Sequence, residues 1–155
     1  MSRDFDGVDD FISAGDVTIL DGATAYTMMA WVYPDAISGT PKVIAKNNPS
    51  PDFSFQLGFQ IVSGTNRFFF HAFQDTSNES LHRSTSANPI STGLWSHLVG
   101  VWNGGTSWNF YLNGLAISNE VLFDAGSPTS IANGGSPLFF GADKQSGTSS
   151  NNFDG

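Results

Sequence analysis

In the stretch TAYTMMAWVYP, around residues 25–34, Tyr26, Met28 and Ala30 alternate with Thr27, Met29 and Trp31. A period of two places successive side chains on opposite faces of a strand. FSFQLGFQIV repeats the pattern, with Phe53, Phe55, Leu57 and Phe59 on one face. NRFFFHAFQD alternates less cleanly, because Phe68, Phe69, Phe70 and Phe73 fall on both faces. Such a strand is covered on both sides or shows one aromatic face to a ligand. WSHLVGVWNGGTSWNFYLNGLAI predicts a three-strand meander over 95–118, turning at Asn103-Gly104-Gly105 and at Asn113-Gly114. Asn-Gly between apolar strands signals a type I′ turn, which needs positive φ at both central residues. Strands are also expected at about 4–6 and 9–14, in PKVIAKN and in PLFFGAD, with a weaker, polar one in SLHRSTS. DVTIL at 16–20 reads as a short turn, and 124–137 and KQSGTSSNN read as loops. No segment has helical periodicity at helix length. The chain is therefore expected to be all-β, a two-sheet antiparallel β-sandwich of jelly-roll type.

Composition sharpens this picture. The 155 residues fit one domain, 1–155, with 39% hydrophobic and 14% aromatic residues to build a core. Only 13% are charged, and the net charge is −8. Six unclustered basic residues argue against nucleic acid, whose phosphates are held by Lys and Arg. The absence of cysteine removes disulfides, thiolate metal sites and cysteine nucleophiles. No apolar run reaches the length of a membrane span. MSRDFDGVDDF has no apolar core and does not read as a signal peptide. The expected setting is extracellular or on a phage virion, reached by another route or after removal of a leader.

Phe-Asp-Gly occurs near both ends, in RDFDG and in NNFDG. Together with TMMAWVYP, KVIAKN, FSFQLGF, WSHLVGVWNGGTSWNFYLNGL and PLFFGAD, in this order, the chain resembles the LamG-like, concanavalin A-like jelly rolls. The resemblance runs from Asp4 to Gly155. It implies that the two Phe-Asp-Gly stretches belong to adjacent first and last strands. It also implies a closing strand that continues past Gly155, and so an open sheet edge in this chain. A partner, or self-association, is expected to use that edge.

The candidate chemistry follows from the same residues. The related glucanases carry a Glu-x-Asp-x-x-Glu strand, whereas this chain has two glutamates, Glu79 and Glu120, both in loop-like contexts. The expectation is that the protein is not an enzyme. A glycoside hydrolase fragment is the least favoured reading. His97, in the Trp-x-His strand, is read as structural. Asp6, Asp9 and Asp10 crowd the first strand. The resemblance implies a structural Ca²⁺ there, with Asp6 and Asp154 as the ligands singled out; the bland alternative is turn capping. Sugars stack on aromatic rings and bond to planar polar groups. Trp108, just past a Gly-Gly turn, is the candidate platform, and Phe69, His71 and Phe73 with Gln56 and Arg83 are the candidate lining. The other choice, Phe68 and Phe70, stays open. Trp31, Trp95 and Trp102 are read as core or sheet-packing residues because they sit within strands. The expected function is a non-catalytic glycan-binding or adhesive module. The alternative is a phage structural or decoration protein that uses the fold for protein contacts.

Overall fold

The computed structural model describes residues 2–46, 54–73, 80–85, 90–124, 126–132, 134–145 and 148–155. Its strands are β1 (Ile12–Asp16), β2 (Tyr26–Val32), β3 (Lys42–Lys46), β4 (Phe55–Val62), β5 (Thr65–Phe73), β6 (Ser80–Thr85) and β7 (Ser96–Trp102). They continue with β8 (Trp108–Leu112), β9 (Leu115–Ile117), β10 (Asn119–Asp124), β11 (Pro137–Phe140), β12 (Asp143–Gln145) and β13 (Thr148–Ser150). Seven strands form one sheet in the order β1-β11-β3-β4-β5-β6-β10. Four form the facing sheet, β2-β7-β8-β9, and β12 pairs with β13 alone. All pairings are antiparallel. The expected all-β, two-sheet sandwich is the architecture found.

Alternation decides which residues make the core. Phe55, Leu57 and Phe59 of β4 and Phe68, Phe70 and Ala72 of β5 face inward from the large sheet. Tyr26, Met28 and Val32, with Leu98, Trp102, Trp108 and Phe110, face them from the small sheet. Phe53 lies outside the described residues. Phe70 is the keystone: its ring meets Tyr26 at 5.0 Å and Trp108 at 5.1 Å, both edge-on. Opposite it, β7 carries Gly100, where an added Cβ would lie 2.6 Å from Phe70 Cδ1. The glycine is there to admit the ring.

The loop signals at Asn113-Gly114 hold, with φ of +51° and +81°. The turn expected in DVTIL is a 3-10 turn over Thr18–Leu20. Two expectations change. KQSGTSSNN is not a plain loop, since Asp143–Gln145 and Thr148–Ser150 pair as a short hairpin. The meander is followed directly by a further strand, Asn119–Asp124, which crosses to the large sheet and pairs with β6. Its polar start gave no apolar alternation to detect.

The two Phe-Asp-Gly stretches do lie side by side. Phe5 and Gly155 exchange backbone hydrogen bonds at 3.0 Å each, and Asp154 bridges both Asp6 and Ala36. Elsewhere, the wholly buried Lys46 ammonium donates to Asp21 Oδ1 at 2.8 Å, Asp16 Oδ1 at 2.9 Å and Val17 O at 2.9 Å. Burial lowers its pKa, but the bonds to Asp21 and Asp16 and their charges outweigh this, and the net shift is upward. This triad fastens the turn after β1 to β3.

Gly100→Ala is expected to destabilise the protein by about 1–3 kcal/mol, because the methyl must displace a packed ring. Urea denaturation compared with wild type measures it; an unchanged midpoint would mean the sheets can separate without cost.

Candidate functional site

Phe69, His71 and Phe73 of β5 share the outer face of the large sheet with Gln56, which lies directly opposite His71. Alternation thus groups four of the expected lining residues. Arg83 does not join them. It pairs with Phe70, and so belongs to the inner face at the sheet's rim, where its Nη1 donates to Asn119 Oδ1 at 2.8 Å. The grouped face is also covered, since Phe69 is 1% and Gln56 7% exposed. Lys42 Nζ stands 5.0 Å from the centre of the Phe69 ring, an interaction available to a cation over an aromatic face. The same ammonium donates to Thr40 O at 2.7 Å. The buried Asp143 beside it accepts from Asn151 Nδ2 at 3.1 Å. This face is a packed polar-aromatic layer and not an open sugar cleft.

Trp108 is the clearest correction. It is buried against Phe70, and its indole N–H donates to Gly105 O at 3.1 Å, the carbonyl that also receives Trp102 Nε1 at 3.0 Å. The turn that was to present the ring to solvent instead supplies the acceptor that a buried indole needs.

Of the three tryptophans read as core or sheet-packing, Trp102 is buried but Trp31 and Trp95 are exposed. Trp31 is 65% exposed and Trp95 53%. Trp31 belongs to the outward set of β2, with Thr27 and Met29, since Tyr26, Met28 and Val32 point inward. The alternation that revealed the strand contained this answer; membership of a strand says nothing about face. Trp95 precedes β7 and escapes its pairing altogether. Trp31 stacks on His97 with centroids 4.9 Å apart and planes 20° from parallel, and Trp95 packs on Tyr33 at 5.6 Å. Asn113 flanks the stack, accepting from the His97 backbone N–H at 2.8 Å. His97 is thus half-buried under a tryptophan. Trp31, Tyr33 and Trp95 also line a groove of about 750 Å³ beside β2, together with apolar residues such as Ala30, Val32 and Phe140 and the charged Arg3, Asp4 and Asp35.

The carboxylates of Asp6, Asp9 and Asp10 lie within 4.8 Å of one another. Asp6 Oδ1 accepts from the Val8 and Asp9 N–H groups, and these bonds hold its pKa below the usual value. Asp154 lies beside Gly7 and bridges Asp6 through the backbone, but its carboxylate is not one of the three. The oxygen donors suit a hard cation, with Asp9 and Asp10 in the place expected for Asp154.

The family model described as the concanavalin A-like lectin/glucanases superfamily, laminin G 3, matches residues 6–155. The chain belongs to this superfamily. No curated protein matches it. Laminin G-like membership supports a carbohydrate-binding or adhesive module in general. Such domains are generally non-catalytic, although the superfamily includes glycosidases. In this laminin G-like chain Glu120 stands on β10 and not in a loop, paired with Arg67, and Glu79 lies outside the described residues.

Burial pulls the Lys42 pKa down to about 8, against the opposing charge of Asp143. Between that value and the 10.5 of an unperturbed lysine, the unfolded chain binds more protons, so stability rises with pH. From pH 8 to 10 the unfolding free energy from urea denaturation is expected to climb, by up to about 3 kcal/mol over the full window, and Lys42→Met is expected to flatten the climb. Above pH 10 the buried Tyr26, whose pKa is raised, and then Lys46 reverse the slope. A flat wild-type profile would show that Lys42 reaches water.

Proposed function

We propose that this laminin G-like domain is a non-catalytic glycan-binding module whose platform is the Trp31–His97 stack. One observation carries the reading: two flat rings, nearly parallel at 20°, are held at the surface by strand pairing between β2 and β7. A sugar's C–H face can settle on such a surface with little ordering cost, because the stack is already formed. Trp95 and Tyr33 extend the apolar surface, and Asp35, which lines the same groove, offers a carboxylate to a sugar hydroxyl. Ca²⁺ at Asp6, Asp9 and Asp10 would brace the first strand from outside the sugar site. Display outside a cell or on a virion fits a module that recognises glycans.

The exposed Met29, Leu94, Trp95 and Leu115 favour a second reading, a structural or decoration protein that uses these side chains in protein contacts.

A glycan array on the folded protein, with calcium and with chelator, tests the first reading. Trp31→Ala is expected to weaken binding at least about 10-fold, the scale of losing one desolvated aromatic anchor. Trp108→Ala is expected to cost about 3–5 kcal/mol of stability instead, as a large core truncation. A blank array from folded wild-type protein would transfer the assignment to protein contacts. Binding unchanged by chelator would show that the sugar site does not depend on a Ca²⁺ brace.

A further inference from the structure

The outward face of the small sheet holds more than the Trp31–His97 stack. Val32 pairs with Ser96 at one end of the β2–β7 ladder, and Tyr33 and Trp95 stand one residue beyond. The two segments stay side by side there. Gly93 N–H donates to Pro34 O at 2.8 Å, and the Tyr33 and Trp95 rings lie 5.6 Å apart. In the other direction, two residues from Trp31, Met29 pairs with Val99, and Val99 pairs with Tyr111 of β8. Burial alternates along β7, with Ser96, Leu98, Gly100 and Trp102 inward and His97 and Val99 half-buried on the opposite face. β8 alternates too, so Tyr111 points outward while its neighbour Phe110 is buried. Met29 is exposed.

Three rungs therefore follow one another over the seam between paired strands: Tyr33 with Trp95, Trp31 with His97, and Met29 with Val99 and Tyr111. Residues on one face recur at every second position, so neighbouring rungs are about 6.8 Å apart. That spacing is comparable with the advance of one unit along an extended pyranose chain. A lone sugar covers one rung and leaves the others in water. The strip is also free of formal charge. None of its residues is Lys, Arg, Asp or Glu, and neither is Thr27, Val101 or Asn109 in the row that follows. Beyond the Tyr33 end stand Asp4, Asp35 and Arg3, the last paired with Asp10. A uronate or sulfate would find no cation on the strip, and the chain's net charge of −8 opposes the approach of a polyanion.

We propose that the strip binds a neutral, linear glycan chain laid along β2, with about one sugar unit on each rung. The inference rests on the glycan-binding reading and names its substrate class, an extended uncharged polysaccharide segment as opposed to a monosaccharide, a branched terminus or an acidic glycan. Each added unit gains C–H contact with side chains the sheet already holds in place, so affinity grows with length until the strip is full.

The test is isothermal titration calorimetry with β-1,4-linked glucose, mannose and xylose, each from monosaccharide to hexasaccharide, and with oligogalacturonates of the same lengths. At least one neutral series is expected to gain at least about 10-fold in affinity from monosaccharide to trisaccharide, the scale of engaging a further aromatic anchor, and little beyond the tetrasaccharide. Oligogalacturonates are expected to bind at least about 10-fold more weakly than neutral oligomers of equal length. Trp95→Ala, at an exposed site, is expected to bring the trisaccharide down to the affinity of the disaccharide and leave the monosaccharide unchanged. Met29→Ala, at the other end of the strip, is expected to do the same, whereas Trp31→Ala weakens every length. The proposal is overturned if no neutral series binds, if monosaccharide and trisaccharide bind equally, if the uronates bind as well, or if both end variants weaken every length alike. The two readings fail separately. A branched or acidic glycan that alone binds on the array, and is lost in Trp31→Ala, keeps the glycan reading and overturns this one; a blank array and blank titrations overturn both.

Discussion

The contact of Phe70 with Gly100 fixes how closely the two sheets approach. Facing sheets pack about 10 Å apart when ordinary side chains interdigitate. A whole ring fits at the centre of this sandwich because the strand opposite it carries no side chain at that position. Tyr26, Trp108 and Phe110 then close around the ring edge-on, at 5.0, 5.1 and 6.3 Å. Once this row is set, the register of β2, β7 and β8 has no freedom left. A slip of one residue would turn every core side chain of a strand into solvent. The outward position of Trp31 is a consequence of the inward position of Met28 and Val32 on the same strand.

The same strand pairing handles two buried lysines in opposite ways. β3 carries a bulge between Lys42 and Ile44, so Lys42 faces the outer layer with Gly58 while Lys46 follows Phe55 to the other side. Lys46 finds two carboxylates and a carbonyl, and its charge is stabilised. Lys42 finds one carbonyl, an aromatic face and Asp143 at longer range, and its charge is disfavoured. A buried cation is tolerated where enough acceptors converge on it. The bulge is what distributes the acceptors unequally.

These constraints leave the most exposed tryptophans, Trp31 and Trp95, at the small sheet. The outer face of the large sheet is spent on packing Phe69, Gln56 and Lys42. Around β2 the chain instead offers an exposed aromatic stack that runs into an apolar groove, with Trp31, Tyr33 and Trp95 shared between the two.

The sequence by itself determined the all-β class, the antiparallel meander, the Asn113-Gly114 turn and most of the inward aromatic set, because period-two patterning and positive-φ turns are local properties; the side-by-side Phe-Asp-Gly ends followed from the family resemblance. It also contained the grouping of Gln56, Phe69, His71 and Phe73 that cross-strand register confirms. Burial was decided only in three dimensions. Trp108 and Trp31 look alike along the chain, each a tryptophan among alternating residues, yet one falls on Phe70 and the other on solvent. Arg83 was placed on the wrong face because its register against Phe70 depends on a hairpin whose length the pattern does not give. The bridges from Asp154 to Asp6 and to Ala36 exist only once both ends of the chain have met. A strand's own sequence can say that it has two faces, but only its neighbours decide which face meets water.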